Sequence, residues 1–452
     1  MRKGLFAALT ILCLAAFMGC AGGKDKSDEQ PGEATNAVTA GVSDVKFELE
    51  DYEPGNRSDF MPREMMRTEK GFYHLNFKDN GLHYYDMSTG KEMYLCNKPE
   101  CRHDGNPFCV ATNQTYEILG CSLYNDKILS YVQEETDTQY AFKLLTVALD
   151  GSSADELATV LTIEKTGERV AFAGCDVHIH RNKVLVTMGG SSVGEDTWHY
   201  CAAVVDLDTK KVTFLNEEPF SKDNEDLSDI SAYGDYFYYC QKEGKKRLLR
   251  RYHIGNGTTE TCKLLTNFSG DYAVLDEDCV VYSRKSGLCT YRFSTGENEE
   301  KTRLIGIQKM YEGRNLVGET EAEYVAQDVL TDGTYLYIPQ KARQLGFKEE
   351  TGEITTWTES ANIHVFDKNL GEIAVVDLMA QFPKEGFEEM TWHIDSYTTG
   401  LRYLGEDIYW CLVPLDENNM NPEMTTYVFH CNRSDFLAGE PKFEFVYKYS
   451  EN

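Results

Sequence analysis

The segment CNKPECRHDGNPFC places Cys96, Cys101, His103 and Cys109 within fourteen positions. Thiolate and imidazole are the preferred ligands of a tetrahedral zinc ion, although this spacing matches no standard zinc finger. A loop rich in proline and glycine also lacks a core of its own, and a disulfide between two of its three cysteines would pin it. The disulfide is the first expectation. Zinc held by all four residues, or free thiols, are the alternatives.

Other residues offer weaker chemistry. Cys279 and Cys289 flank a hairpin turn around Ser283 to Gly287, and Cys411 and Cys431 flank a longer one. Either pair could bridge adjacent strands, though such cysteines more often serve as small buried apolar residues. Asp176, His178 and His180 share one face of a strand, a row that could hold a metal, but satisfied core histidines are expected. Gly190 to Gly194 has the letters G-x-S-x-G, yet a nucleophile elbow needs a strand-to-helix turn in a parallel sheet. Here the serines fall between two antiparallel strands. The acidic run from Asp223 to Asp229 lacks the spacing and glycine of a calcium loop and reads as solvated surface. The insert from Phe347 to Trp357 reads as an extra hairpin in the sixth repeat, with Trp357 as a contact residue, since aromatic tips are favoured at interfaces.

The elements that must position these residues come from an internal repeat. Short aromatic or β-branched runs begin at Gly71, Lys127, Lys183, Asp235, Asp278, Gly333 and Asp407. The first and last are 336 positions apart in six steps, a mean of 56. Each run is followed by another strand, a turn such as Ser88-Thr89-Gly90, Ser294-Thr295-Gly296 or Asn369-Leu370-Gly371, and a further strand. Gly and Asn at such turns tolerate the positive φ that hairpins need. No long helical periodicity interrupts the pattern. One such sheet cannot cover both of its faces, so seven of them are expected to stack radially. The fold class is therefore all-β: a seven-bladed β-propeller of antiparallel three- to four-stranded blades spanning 45–452. Val45 to Asp51 is expected to add the strand that closes the ring on the last blade.

Residues 1–19 read as a signal peptide, with Arg2 and Lys3 before an uncharged apolar run from Gly4 to Phe17. At roughly 15 residues that run is short for a bilayer span of about 20. Gly19 before Cys20 resembles the lipobox of bacterial lipoproteins, which implies a diacylglycerol on the Cys20 sulfur and cleavage just before it. Residues 20–44 are nearly free of large apolar side chains and should form a flexible tether. The chain carries a formal charge of −29, and losing Arg2 and Lys3 would leave −31. Nucleic acid and anionic lipid surfaces, which demand basic partners, are thereby disfavoured.

The repeat resembles the YWTD-like and DUF5050-like propellers of Gram-positive surface lipoproteins over most of the mature chain. That resemblance implies fold and cell-surface location, not a reaction. A CxxPxCxHxxxxxC segment recurs in those lipoproteins without an assigned role. The expected function is a membrane-anchored, extracytoplasmic binding platform for a protein, peptide or glycan. The alternative is an extracellular polymer-degrading glycoside hydrolase or lyase, whose funnel would need only two well-placed carboxylates. No cofactor is expected beyond zinc in the minority reading of the cysteine loop.

Overall fold

The computed structural model describes residues 66–450 except 69, 77–78, 106–107, 113–114, 166–169, 193–197, 217, 225–226, 244–245, 263–271, 313–314, 327, 342–343, 348–353, 360–361, 379, 382–399, 405–406 and 413–424. The signal peptide, Cys20, the tether and the closing strand expected at Val45 to Asp51 lie outside these residues. Among the described residues no helix is long and apolar enough to cross a membrane. The helix Arg433–Leu437 spans five residues.

Seven antiparallel four-position blades form the ring, at 66–94, 116–164, 170–214, 227–261, 272–303, 325–377 and 400–450. Blade one consists of β1 (Met66–Arg67), β2 (Gly71–Asn76), β3 (Gly81–Asp86) and β4 (Lys91–Tyr94). Blade two begins with β5 (Tyr116–Tyr124). The aromatic runs of the sequence are the second strands, and each has a first strand ahead of it. First strands of neighbouring blades lie against one another around the ring, as β5 does against Val170–His180.

The third-to-fourth-strand turns share a cause. Asp86 accepts from Ser88 N–H and from the Ser88 and Thr89 hydroxyls, Asp206 from the Asp208 and Thr209 amides, and Asp367 from the Asn369 and Gly371 amides. These are Asx-type turns in which a side chain holds the reversal. Gly90, with φ +66°, supplies the left-handed step in blade one.

Packing between blades accounts for the core. Seven clusters of buried apolar residues each join two neighbouring blades. The ring closes where buried Phe72 of blade one meets Tyr409 and Tyr447 of blade seven. Its ring centroid lies 5.8 Å from the first, edge-on, and 5.2 Å from the second, stacked. All four positions of blade seven come from 400–450.

One sheet stands outside the seven blades. The hairpin Ile305–Glu312/Asn315–Glu323, between blades five and six, pairs with a second hairpin, Gln344–Phe347/Ile354–Glu359, inserted into blade six. The hairpin expected near Trp357 is thus present, but Trp357 is mid-strand, opposite Tyr311 on one side and Leu345 on the other. The sheet is fastened to blade six: Gln340 Nε2 donates to Ile307 O at 2.9 Å, and Lys309 Nζ lies 2.6 Å from Asp377 Oδ2. The approach is close: a Cβ at Gly306 would come within 2.3 Å of Gln340 Oε1, so the Gln340 side chain would have to shift. Six of the ten exposed large apolar side chains among the described residues fall within 305–325: Ile305, Ile307, Met310, Leu316, Val317 and Val325.

The two bridges that the sequence left possible do not fit the register. Cys279 lies opposite Arg292 and Cys289 opposite Tyr282, three residues out of step and on opposite faces of the sheet. Cys411 lies opposite Val428 and Cys431 opposite Ile408, the same offset. Neither hairpin brings its cysteines face to face. Cys279, Cys289 and Cys431 are free and buried among strand side chains. His178 and His180 are buried, and His180 Nε2 bonds the Gly234 carbonyl at 2.7 Å, so His180 fastens blade three to blade four.

Candidate metal centre

The loop from β4 to β5 carries the chain from the outer edge of blade one to the inner strand of blade two, and both its ends are held at Leu82. Leu82 N–H donates to Ala111 O at 2.9 Å, and Leu82 O accepts from Leu95 N–H at 2.8 Å. A turn closed by Cys101 N–H on Lys98 O at 3.0 Å follows Cys96, and Lys98 Nζ reaches back to Phe108 O. Blade two presses on the loop's start at Gly151, where φ is +67° and a Cβ would sit 2.5 Å from Leu95 O. Only glycine fits that contact.

This path brings Cys96, Cys101, His103 and Cys109 together, with their ligand atoms all within 4.8 Å of one another. Cys96 and Cys109 are buried; Cys101 and His103 are half-buried. The three sulfurs stand as free thiols in this structure. His103 Nδ1 faces Cys109 Sγ at 3.5 Å. His103 takes a left-handed φ of +53°, an uncommon conformation for a residue with a side chain.

The sulfurs are not equivalent. Burial, followed by the neighbouring Cys109 and Cys96 sulfurs, pushes the Cys101 thiol up. At Cys109 burial acts the same way, but the Thr112 hydroxyl at 3.3 Å and the Thr112 amide at 3.4 Å donate to its sulfur and hold it below the ordinary thiol value. Burial, with the His83 charge behind it, keeps the His103 imidazole below its usual value. A metal would bind these groups only with the thiols deprotonated and the imidazole neutral.

A second polar cluster backs the loop, and it was not foreseen. Tyr94 stacks on His103 with ring centroids 4.5 Å apart, and its hydroxyl donates to Asp79 Oδ2 at 2.7 Å. Asp79 also meets His83 Nε2 at 3.2 Å, while His83 Nδ1 and His74 Nε2 both meet Glu92 Oε1, at 3.0 and 3.1 Å. His74 and His83 are direct cross-strand partners. Their equal distance along the sequence from the midpoint between positions 78 and 79 was the available sequence signal. The geometry of His74, His83 and Glu92 would admit a metal. However, against burial that would lower it, Asp79 and Glu92 raise His83 to about 9. Hydrogen bonds from His74 and His83 hold Glu92 well below the carboxylate range. At neutral pH this is a charged network around an imidazolium, and a protonated ring is no ligand.

Beside the loop lies a cavity of about 430 Å³ between it and blade two, lined by Lys98, Phe108, Cys109, Tyr116, Lys143 and Glu156 among others. Lys143 bridges Glu134 at 2.6 Å and Glu156 at 3.1 Å on its wall. The one carboxylate among the buried polar residues described is Asp332. It accepts from the Tyr337 hydroxyl and the Thr334 and Tyr335 amides and pairs with Arg433, a structural role at the base of blade six.

No family model and no curated protein matches the chain. Solved structures similar to it include an uncharacterised protein of Listeria monocytogenes, at 7% identity over 74% of this chain and 83% of that one, TM-score 0.40. The β-propeller domain of a trilobed protease from Pyrococcus furiosus gives 9% identity over 75% and 98%, TM-score 0.38. An oligogalacturonate lyase of Vibrio parahaemolyticus gives 10% over 65% and 75%, TM-score 0.37.

Proposed function

We propose that the protein is a lipid-anchored, extracytoplasmic propeller of the YWTD/DUF5050-like surface lipoproteins that works as a binding platform for a protein, peptide or glycan. The observation that carries this reading is the extra sheet. Seven blades already satisfy one another's faces, yet the chain adds two hairpins that the ring does not need. Most of the exposed large apolar side chains among the described residues lie on that addition or at its edge. Apolar side chains gathered outside a completed core mark interaction sites. The apolar run from Gly4 to Phe17 ahead of Gly19-Cys20, the polar stretch after it and the acidic charge of −29 support a domain held off a membrane rather than one lying on it.

Two measurements test it. Intact-mass analysis of the native protein should find Cys20 as the first residue, carrying a diacylglycerol, and Cys20→Ala should shift the protein out of the membrane fraction. Full-length protein presented to peptide and glycan arrays should show a selective ligand, with binding weakened about tenfold or more by the pair Ile307→Glu and Leu316→Glu. Binding unchanged by both substitutions would remove the extra sheet from the function.

A further inference from the structure

We propose that Cys96 Sγ, Cys101 Sγ, His103 Nδ1 and Cys109 Sγ hold one zinc ion in a closed tetrahedral site that pins the crossing from blade one to blade two. Zinc–sulfur bonds of about 2.3 Å and zinc–nitrogen bonds of about 2.0–2.1 Å put neighbouring tetrahedral ligand atoms about 3.5–3.8 Å apart. The 3.5 Å between His103 Nδ1 and Cys109 Sγ is one such edge, and the remaining ligand atoms converge within 4.8 Å. A disulfide would use two of these groups and leave the third sulfur and the left-handed His103 without a purpose; a metal uses all four.

The surroundings match a ligand set. The Thr112 amide and hydroxyl both donate to the Cys109 sulfur, at 3.4 and 3.3 Å. Such donors stabilise thiolates, and second-shell partners of this kind orient metal ligands. Stacking on Tyr94 fixes the imidazole plane so that Nδ1 points inward. Three sulfurs and one nitrogen in a tetrahedral array select zinc over calcium or magnesium, which demand oxygen. On binding, the thiols release their remaining protons to solvent and no electrons move. With all four positions filled by protein, the ion has no open site for catalysis. Its role is to fix a loop with little core of its own, which forms one wall of the cavity against blade two.

The test is metal analysis of the full-length protein purified without chelator, beside peptide mapping under non-reducing conditions. Wild type should carry about one zinc per chain, Cys101→Ser and Cys109→Ser below about a tenth of that, and His103→Cys, which restores a four-thiolate set, about one. Cys279→Ser, away from the loop, should keep its zinc. Should the serine variants fail to fold, cobalt exchanged into wild type decides the matter, since a tetrahedral cobalt–thiolate site has intense charge-transfer and visible bands. Wild type without zinc after reduction and reconstitution, variants that fold and keep it, cobalt protein lacking those bands, or an S–S bond among Cys96, Cys101 and Cys109 in the native protein would each overturn the proposal.

Discussion

His83 shows how one residue ties local chemistry to the stability of a blade. Its folded pKa of about 9 lies above the usual histidine value because Asp79 and Glu92 face it. A group raised on folding contributes stability that is complete below its unfolded pKa, about 6.5, and is lost as pH climbs through the folded value. The melting temperature of wild type should therefore fall more steeply between pH 6.5 and 9.5 than that of His83→Gln, the two curves drawing together at the alkaline end. Parallel curves would mean that His83 is not protonated in the folded protein. The sequence made the cysteine loop legible because its ligand types crowd into one short segment. It hid the histidine–carboxylate network, since His74, His83 and Glu92 meet only through strand register. The same dependence on register separated Cys279 from Cys289, which look close along the chain.

At the scale of elements, the ring is closed among the described residues by side chains. Phe72 is buried between Tyr409 and Tyr447, and the Tyr85 hydroxyl reaches Val446 O at 3.4 Å across the same seam. Phe72→Ala should cost about 3–5 kcal/mol, the range for a buried phenylalanine. For a domain of this size that lowers the thermal midpoint by about 4–6 °C. A loss of under 1 °C would show that the seam is held elsewhere. The second strands were legible because each is a long apolar run. Several first strands were not: Met66–Arg67 and Leu330–Thr331 are two residues each, too short to display alternation. The extra sheet was half legible. Its Trp357 hairpin could be read, but its partner at 305–323 lies more than twenty residues upstream, and nothing local announces that the two will pair.

For the whole molecule, seven interlocked blades form a stiff frame, and the extra sheet is the part that the frame does not require. The full sequence carries a formal charge of −29, which would work against contact with nucleic acid or an anionic surface. In the proposed binding role, selective contact would fall to local apolar features such as Ile307, Leu316 and Val317, which stand 41%, 50% and 53% exposed. The proposed lipid tether would carry these side chains to where extracellular partners arrive. The decisive measurement is site-specific photo-cross-linking on intact cells, with the probe at Leu316 and, as a control, at exposed Thr295 in a blade-five turn. A discrete partner captured from Leu316 and not from Thr295 is the expected result. Equal capture from both positions, or none from Leu316, would contradict a binding role for this sheet.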